Sequence, residues 1–373
     1  MEAINLQAVL SRFLDPDQPL SPRQWPVCSH LQSCRTAALS GLQWHCDHCD
    51  YELPRYHACR DRHCPRCQQR ASRRWCERQQ GGVLPVSYYH LVFTVPHTLN
   101  PWVQLHPQVI YGLLFQSVWA TLTAFAADPK RLGGELGMTA VLHTWGQNLS
   151  QHVHLHCLVP GGALNAQGQW RAAKSSYLFP VRALSRVFRG KMVSALRTAA
   201  WQGKLPRVTR PGDIDATLAS LMQTDWVVYS KSCVSHTDRV VAYLARYSHR
   251  IAISDTRILG LEGDQVAFRY KDYRDHDKPK VMRLSGTEFI RRFLLHVLPK
   301  GFMRLRHYGF LANRCRAEKL TQIRAMLAQG EVSPAATAKV TPEAPIAGYP
   351  CPRCHQGRVQ VVYPLAPLRW EGG

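Results

Sequence analysis

Eight of the thirteen cysteines lie between Cys28 and Cys76. This clustering constrains the chain more than any other feature. Cys46-Asp-His-Cys49 is followed, after fourteen residues, by Cys64-Pro-Arg-Cys67. Two C-x-x-C knuckles at this spacing can supply four thiolates to one tetrahedral zinc. Cys59 and His63, with Cys34 and His45 upstream, could complete a second site. A zinc with every position filled by protein ligands is structural: it folds a segment too small for its own core and has no catalytic role. The reading assumes reduced thiols. No charged-then-apolar signal follows Met1, and no uninterrupted apolar run of about 18 residues occurs. A cytoplasmic chain without a membrane span or a disulfide framework is therefore expected.

Charge adds the partner. Of 373 residues, 47 are basic and 25 acidic, for a formal charge of +22, and 36 of the basic residues are Arg. Arg forms bidentate contacts to phosphate, so a charge of this size points to nucleic acid. It is densest beside the cysteines. Arg60, Arg62, Arg66, Arg70, Arg73 and Arg74 belong to a run of eight Arg between Arg55 and Arg78, with Tyr51, Tyr56 and Trp75 interleaved. Zinc knuckles followed by this run read as a zinc-folded DNA-binding module.

The chain divides into residues 1–85, holding the cysteine cluster; 86–312, where strand-like and helical segments alternate; and a tail, 313–373. The tail begins with a helical stretch around Glu318–Leu327, turns Pro/Ala/Thr-rich between Ser333 and Pro345, and ends with one knuckle, Cys351-Pro-Arg-Cys354. That knuckle offers two ligands and needs partners from elsewhere to form a site. In the middle block, strands are expected at Tyr88–Val95, Thr139–Trp145, Val153–Val159, Trp226–Ser230, Arg250–Ser254, Ile258–Leu261 and Gln265–Tyr270. Helices are expected at Pro107–Ala127, Ala183–Leu196, Asp213–Met222, Asp238–Ser248 and Thr287–Leu298. The order is irregular and no Gly-rich phosphate loop follows a strand, which favours an α+β fold with an antiparallel sheet.

Two further motifs carry chemistry. In Gln151-His-Val-His-Leu-His-Cys-Leu-Val-Pro160, side chains of a strand alternate faces. His152, His154 and His156 therefore share one face, able to hold a divalent ion, and Val153, Leu155, Cys157 and Val159 share the apolar one. In Tyr243-Leu-Ala-Arg-Tyr247, residues four apart lie on one helix face. Both hydroxyls would point into one site, with Arg246 and Arg250 nearby.

A strand Leu91-Val-Phe-Thr94, a His-hydrophobic-His strand and a Tyr-x-x-x-Tyr helix, in this order, resemble the motifs of HUH endonucleases. The chain is most similar to the two-tyrosine rolling-circle transposases of the IS91 insertion-sequence family. The likeness runs through Cys59-Arg-Asp-Arg-His-Cys-Pro-Arg-Cys67, Leu142-His-Thr-Trp-Gly-Gln147, Tyr243-Leu-Ala-Arg-Tyr-Ser-His-Arg250 and Phe293-Leu-Leu-His-Val-Leu-Pro-Lys-Gly301. Val153 stands where such sequences often carry Pro. The resemblance implies an antiparallel HUH core with inserted helices behind a small zinc-binding domain. It implies that His154 and His156 bind Mg²⁺ or Mn²⁺, with His143 as third ligand and Gln147 as runner-up. It further implies nicking of single-stranded or melted DNA by Tyr243, a 5′-phosphotyrosine intermediate, and a second step served by Tyr247, in a bacterial, nucleoid-associated protein. A non-enzymatic zinc-dependent DNA-binding regulator would leave the His strand and the Tyr pair without a role. A plasmid relaxase or replication initiator would share the chemistry.

Overall fold

The computed structural model describes residues 4–173, 178–210, 212–233, 251–273, 275–328 and 348–368. The helices are α1 (Leu6–Phe13), α2 (Gln24–Ser33), α3 (Pro65–Gln80), α4 (Asn100–Leu105), α5 (Pro107–Ala127), α6 (Val181–Trp201), α7 (Asp213–Gln223), α8 (Gly286–Leu294) and α9 (Arg316–Ala328). The strands are β1 (Gly41–Cys46), β2 (Glu52–Tyr56), β3 (Tyr88–Thr94), β4 (Gly137–Trp145), β5 (Gln151–Pro160), β6 (Gly162–Leu164), β7 (Trp170–Ala172), β8 (Val228–Cys233), β9 (Ile258–Glu262), β10 (Gln265–Asp272), β11 (Lys278–Ser285), β12 (Leu305–Gly309), β13 (Tyr349–Pro350) and β14 (Arg358–Leu365). The chain is a mixed α/β protein whose sheet pairings are antiparallel.

The central sheet has the order β12-β4-β5-β3-β8. Its apolar face follows from the period of two. Leu91 and Phe93 of β3, Ala140 and Leu142 of β4, and Leu155 and Cys157 of β5 are all buried in one cluster with α5, α6 and α7. Burying one such side chain contributes about 1.5–3 kcal/mol, so this face anchors the sheet. Helix α5 is long and apolar enough to cross a membrane by length and composition alone. Here Ile110, Leu114, Phe115, Val118 and Leu122 pack it into the core of the sheet. Pro107, whose fixed φ suits the first turn, opens it.

A second core joins distant parts of the chain. Helices α1 and α2 pack with α8 and with the three-stranded sheet β11-β10-β9, through Leu6, Leu10, Leu31, Phe268, Phe289 and Phe293. A side-chain N-cap starts α8: the Ser285 hydroxyl accepts from Glu288 N–H at 3.3 Å. The tail also returns. Its strand β14 pairs with β1 over six positions, giving the sheet order β13-β14-β1-β2.

Two expectations change. Residues 251–254 form no strand; Ala252 takes a left-handed φ of 54°, incompatible with extended backbone. Edge strands β11 and β12 form where none was expected, because Lys278-Pro-Lys-Val-Met-Arg lacks clean alternation. The expected helix Asp238–Ser248, with Tyr243, Arg246, Tyr247 and Arg250, lies outside the described residues.

Candidate metal centres and nucleic-acid interface

The polar face of the central sheet carries the histidines. Across the β4–β5 pair, His143 stands opposite His154, and across β3–β5, Val92 stands opposite His156. Residues directly paired share a face, so His143, His154 and His156 meet there. One ring nitrogen from each lies within 4.8 Å of the others, close enough to share an ion. The β-bulge that follows His143 ends the regular pairing at the hairpin, as bulges do beside functional sites. Gln147, the alternative third ligand, has its amide engaged elsewhere: it donates to the Tyr273 hydroxyl at 3.2 Å.

The His154 and His156 imidazoles are set up as neutral donors. Burial pulls the His154 pKa down to about 3, with a further push from His152. Burial, with His143 and His154 close by, holds His156 well below the usual value. His154 Nδ1 sits 2.8 Å from the His152 carbonyl, which can only accept. Nδ1 therefore carries the proton and Nε2 keeps the lone pair that a cation needs. Three imidazoles, those of His154 and His156 held neutral by burial, fit a divalent cation whose remaining positions go to oxygen ligands.

No motif in the sequence singles out His90. It is 5 % exposed, and its Nε2 lies 2.8 Å from His156 Nδ1 with the two rings stacked. That bond occupies Nδ1 of His156 and leaves Nε2 to the cluster. His90→Leu keeps the burial and removes the bond. The expected outcome is a loss of about 10- to 100-fold in the affinity of the histidine cluster for a divalent cation, read from direct metal titration of the protein. His296 stabilises the hairpin from below: it bridges the Thr144 hydroxyl at 3.2 Å and the Leu149 carbonyl at 3.1 Å.

The cysteines form two clusters, grouped differently from the expectation drawn from spacing. Cys64 and Cys67 join Cys34 and Cys59, whereas Cys46 and Cys49 join Cys351 and Cys354 of the tail. Within the first cluster, Sγ–Sγ distances of 3.6 Å (Cys34–Cys64) and 3.7 Å (Cys34–Cys67, Cys59–Cys67) match the edge of a tetrahedron; with Zn–S near 2.3 Å that edge is about 3.8 Å. The expected pairing of the two N-terminal knuckles thus fails because a closer partner arrives from the other end of the chain. His63 joins neither cluster. Its Nδ1 contacts Asp61 at 2.9 Å and its Nε2 accepts from Leu298 N–H at 3.2 Å, so both nitrogens are occupied. His45 also stands outside both groups.

Cys64 caps α3, with Pro65 as its first residue, so the first cluster fixes where the Arg-rich helix begins. Cys64→Ser should lose about one zinc equivalent per chain and unfold the N-terminal block, as read by metal analysis and thermal melting. Unchanged zinc in reduced, freshly purified protein would contradict this. Trp75, on the buried side of α3, packs against Tyr88 and Leu158 on the histidine face. The opposite side of α3 and the β1–β2 hairpin enclose a cleft of ≈ 1050 Å³ lined by Arg35, Arg55, Arg60, Arg70 and Arg74 with Trp44 and Tyr56. A second groove, ≈ 590 Å³, lies between Arg66 and Arg73 on α3 and residues 251–256. Arg62 departs from the exposed set: it is half-buried and donates to the Phe302 carbonyl at 2.5 Å. Cationic walls with interleaved aromatics suit a phosphate backbone and stacked bases.

Comparison with known proteins agrees with this geometry. Residues 5–95 match the family described as "Transposase zinc-binding domain" of IS91 type, and residues 137–319 match the one described as "Putative transposase". The chain is 43% identical over 359 residues to the "Putative transposase y4qJ" of Sinorhizobium fredii, covering 91% of this chain and 89% of the relative. It is 27% identical over 310 residues to the "Transposase for insertion sequence element IS801" of Pseudomonas savastanoi pv. phaseolicola, covering 79% and 71%. A chain that matches both family models and is 43% identical to a transposase over 91% of its length belongs to the IS91-type transposases, with an N-terminal zinc-binding domain.

Proposed function

We propose that this transposase nicks and rejoins single DNA strands by HUH-type, rolling-circle chemistry, through a 5′-phosphotyrosine. The observation that carries the reading is the convergence of His143, His154 and His156 on the polar face of an antiparallel sheet. The relative named for the insertion element IS801 supports it. The nucleophiles are Tyr243 and Tyr247. The segment that holds them continues from β8, whose partner β3 carries His90, and leads to Ile251 beside the α3 groove.

Each residue has a task. His143, His154 and His156 would hold Mg²⁺ or Mn²⁺, which when bound neutralises developing charge on the scissile phosphate. Single-stranded ends are gripped by Arg60, Arg70 and Arg74 in the larger cleft and by Arg66 and Arg73 in the smaller one. Arg246 and Arg250, within seven positions of Tyr243 along the chain, add charge to that segment. A phenol with a pKa near 10 is mostly protonated at neutral pH, so Tyr243 loses its proton to solvent as its oxygen attacks phosphorus. The Tyr O–P bond forms, the P–O3′ bond breaks, and the 3′ oxygen leaves and takes up a proton. The phosphodiester energy is kept in the tyrosyl ester, so resealing by a 3′-hydroxyl needs no nucleotide cofactor. The test is a single-stranded oligonucleotide carrying an end of the element, incubated with protein with and without chelator. Cation-dependent cleavage to a free 3′-hydroxyl and a protein-linked 5′ end is expected; cleavage that persists in chelator contradicts the reading.

A further inference from the structure

The second cysteine cluster is built from the two ends of the chain. Cys46 Sγ lies 3.7 Å from Cys354 Sγ, and Cys49 Sγ lies 3.8 Å from Cys351 Sγ. Thiolates sharing a tetrahedral zinc stand about 3.8 Å apart, whereas disulfide sulfurs bond at about 2.05 Å. The two knuckles are made alike. His48 N–H donates to Cys46 Sγ at 3.4 Å, and Arg353 N–H donates to Cys351 Sγ at 3.4 Å. Gly357 N–H donates to Cys354 Sγ at 3.3 Å. Such bonds spread the negative charge of thiolates. The fit is close enough to exclude a side chain: a Cβ on Gly357 would stand 2.6 Å from Cys46 Sγ. Asp47, inside the N-terminal knuckle, accepts from Arg358 N–H at 2.7 Å and from the Gln360 amide at 3.3 Å.

The cluster also reaches the DNA cleft. Arg55, which lines that cleft, holds its guanidinium 5.3 Å from the Trp44 ring and 5.2 Å from the Tyr349 ring. Trp44 belongs to the N-terminal sheet and Tyr349 to the tail, two residues before Cys351. The tail therefore forms one aromatic wall of a cationic contact at the cleft's rim.

We propose that Cys46, Cys49, Cys351 and Cys354 hold a second structural zinc that clasps the C-terminal tail to the N-terminal sheet and so completes the rim of the DNA cleft. The zinc-binding family match ends at residue 95, so this site lies half outside it. The clasp is independent of the tyrosine chemistry: it requires zinc and DNA binding, not nicking. It also explains why the last knuckle carries only two ligands of its own.

The experiment counts zinc in full-length, reduced, freshly purified protein by native mass spectrometry. About two ions per chain are expected. The Cys351→Ser/Cys354→Ser double variant should carry about one, and the ion it retains at Cys34, Cys59, Cys64 and Cys67 reports that the rest of the N-terminal block is folded. Cys315→Ser, outside both clusters, should keep about two. Gly357→Ala leaves every thiol in place and should release its second zinc to a chelator faster than the native chain. Affinity for a single-stranded oligonucleotide, measured without cleavage, should fall about two- to fivefold in the double variant, the weight of one cation–π contact. A native chain with one zinc, a double variant that keeps two, iron in place of zinc, or an unchanged release rate in Gly357→Ala overturns the clasp. Unchanged DNA affinity overturns its role at the rim.

Discussion

His154→Ala and His156→Ala, singly or together, are expected to abolish nicking of single-stranded DNA while leaving DNA binding within about twofold of the native chain. Loss of the ligand set removes several kcal/mol of charge stabilisation at the phosphate, a rate loss of at least about a thousandfold. Binding survives because its charge comes from other elements: the cleft between α3 and the β1–β2 hairpin contains none of these histidines. The variants should also fold. Both side chains lie on the sheet's polar face, while the core is made by Val153, Leu155, Cys157 and Val159 on the other. A chelator should reproduce the loss in the native chain and Mn²⁺ should reverse it. Gel-shift and cleavage assays on the same oligonucleotide separate the two effects; normal nicking by the double variant removes the cation from the mechanism.

The histidine strand was legible because a period of two needs no tertiary information: three histidines in alternation define a face, and the core takes the other. Helix α5 was legible to its ends, from Pro107 to Ala127, because a first-turn proline opens it and its mostly apolar helical pattern stops at Asp128-Pro129. The third histidine followed from the resemblance, and strand register then placed His143 opposite His154. His90 escaped because a single histidine in an apolar strand carries no pattern; only the β3–β5 pairing puts it against His156. The cysteine pairing escaped for a related reason. Spacing reports closeness along the chain, and it favours the knuckle fifteen residues away over one 302 residues away. What decides is the return of the tail as β14 on β1, a long-range pairing between strands that no local signal encodes. The Arg run announced DNA, but not that Arg62 would turn inward to the Phe302 carbonyl.

Tyrosine chemistry is the central claim, and its expected results differ between the two residues. Tyr→Phe removes one hydroxyl and keeps the ring, so packing survives and the loss is chemical. Tyr243→Phe should fail to form any covalent protein–DNA species on a single-stranded end substrate. Tyr247→Phe should form it and then fail to complete transposition, because strand transfer needs a second nucleophile while the first end stays attached. The effect is close to all-or-none, since an absent nucleophile leaves water as the remaining attacker, and water leaves no adduct. If Tyr247→Phe alone loses the adduct, the roles are reversed and the chemistry stands. The most direct measurement is a denaturing gel of 5′- and 3′-labelled oligonucleotide after incubation with native protein, each single variant and the double Tyr243→Phe/Tyr247→Phe variant. The account predicts that label on the 3′-side fragment, the one bearing the new 5′ end, migrates with native protein and that the double variant shows none. A covalent adduct formed by the double variant would contradict it.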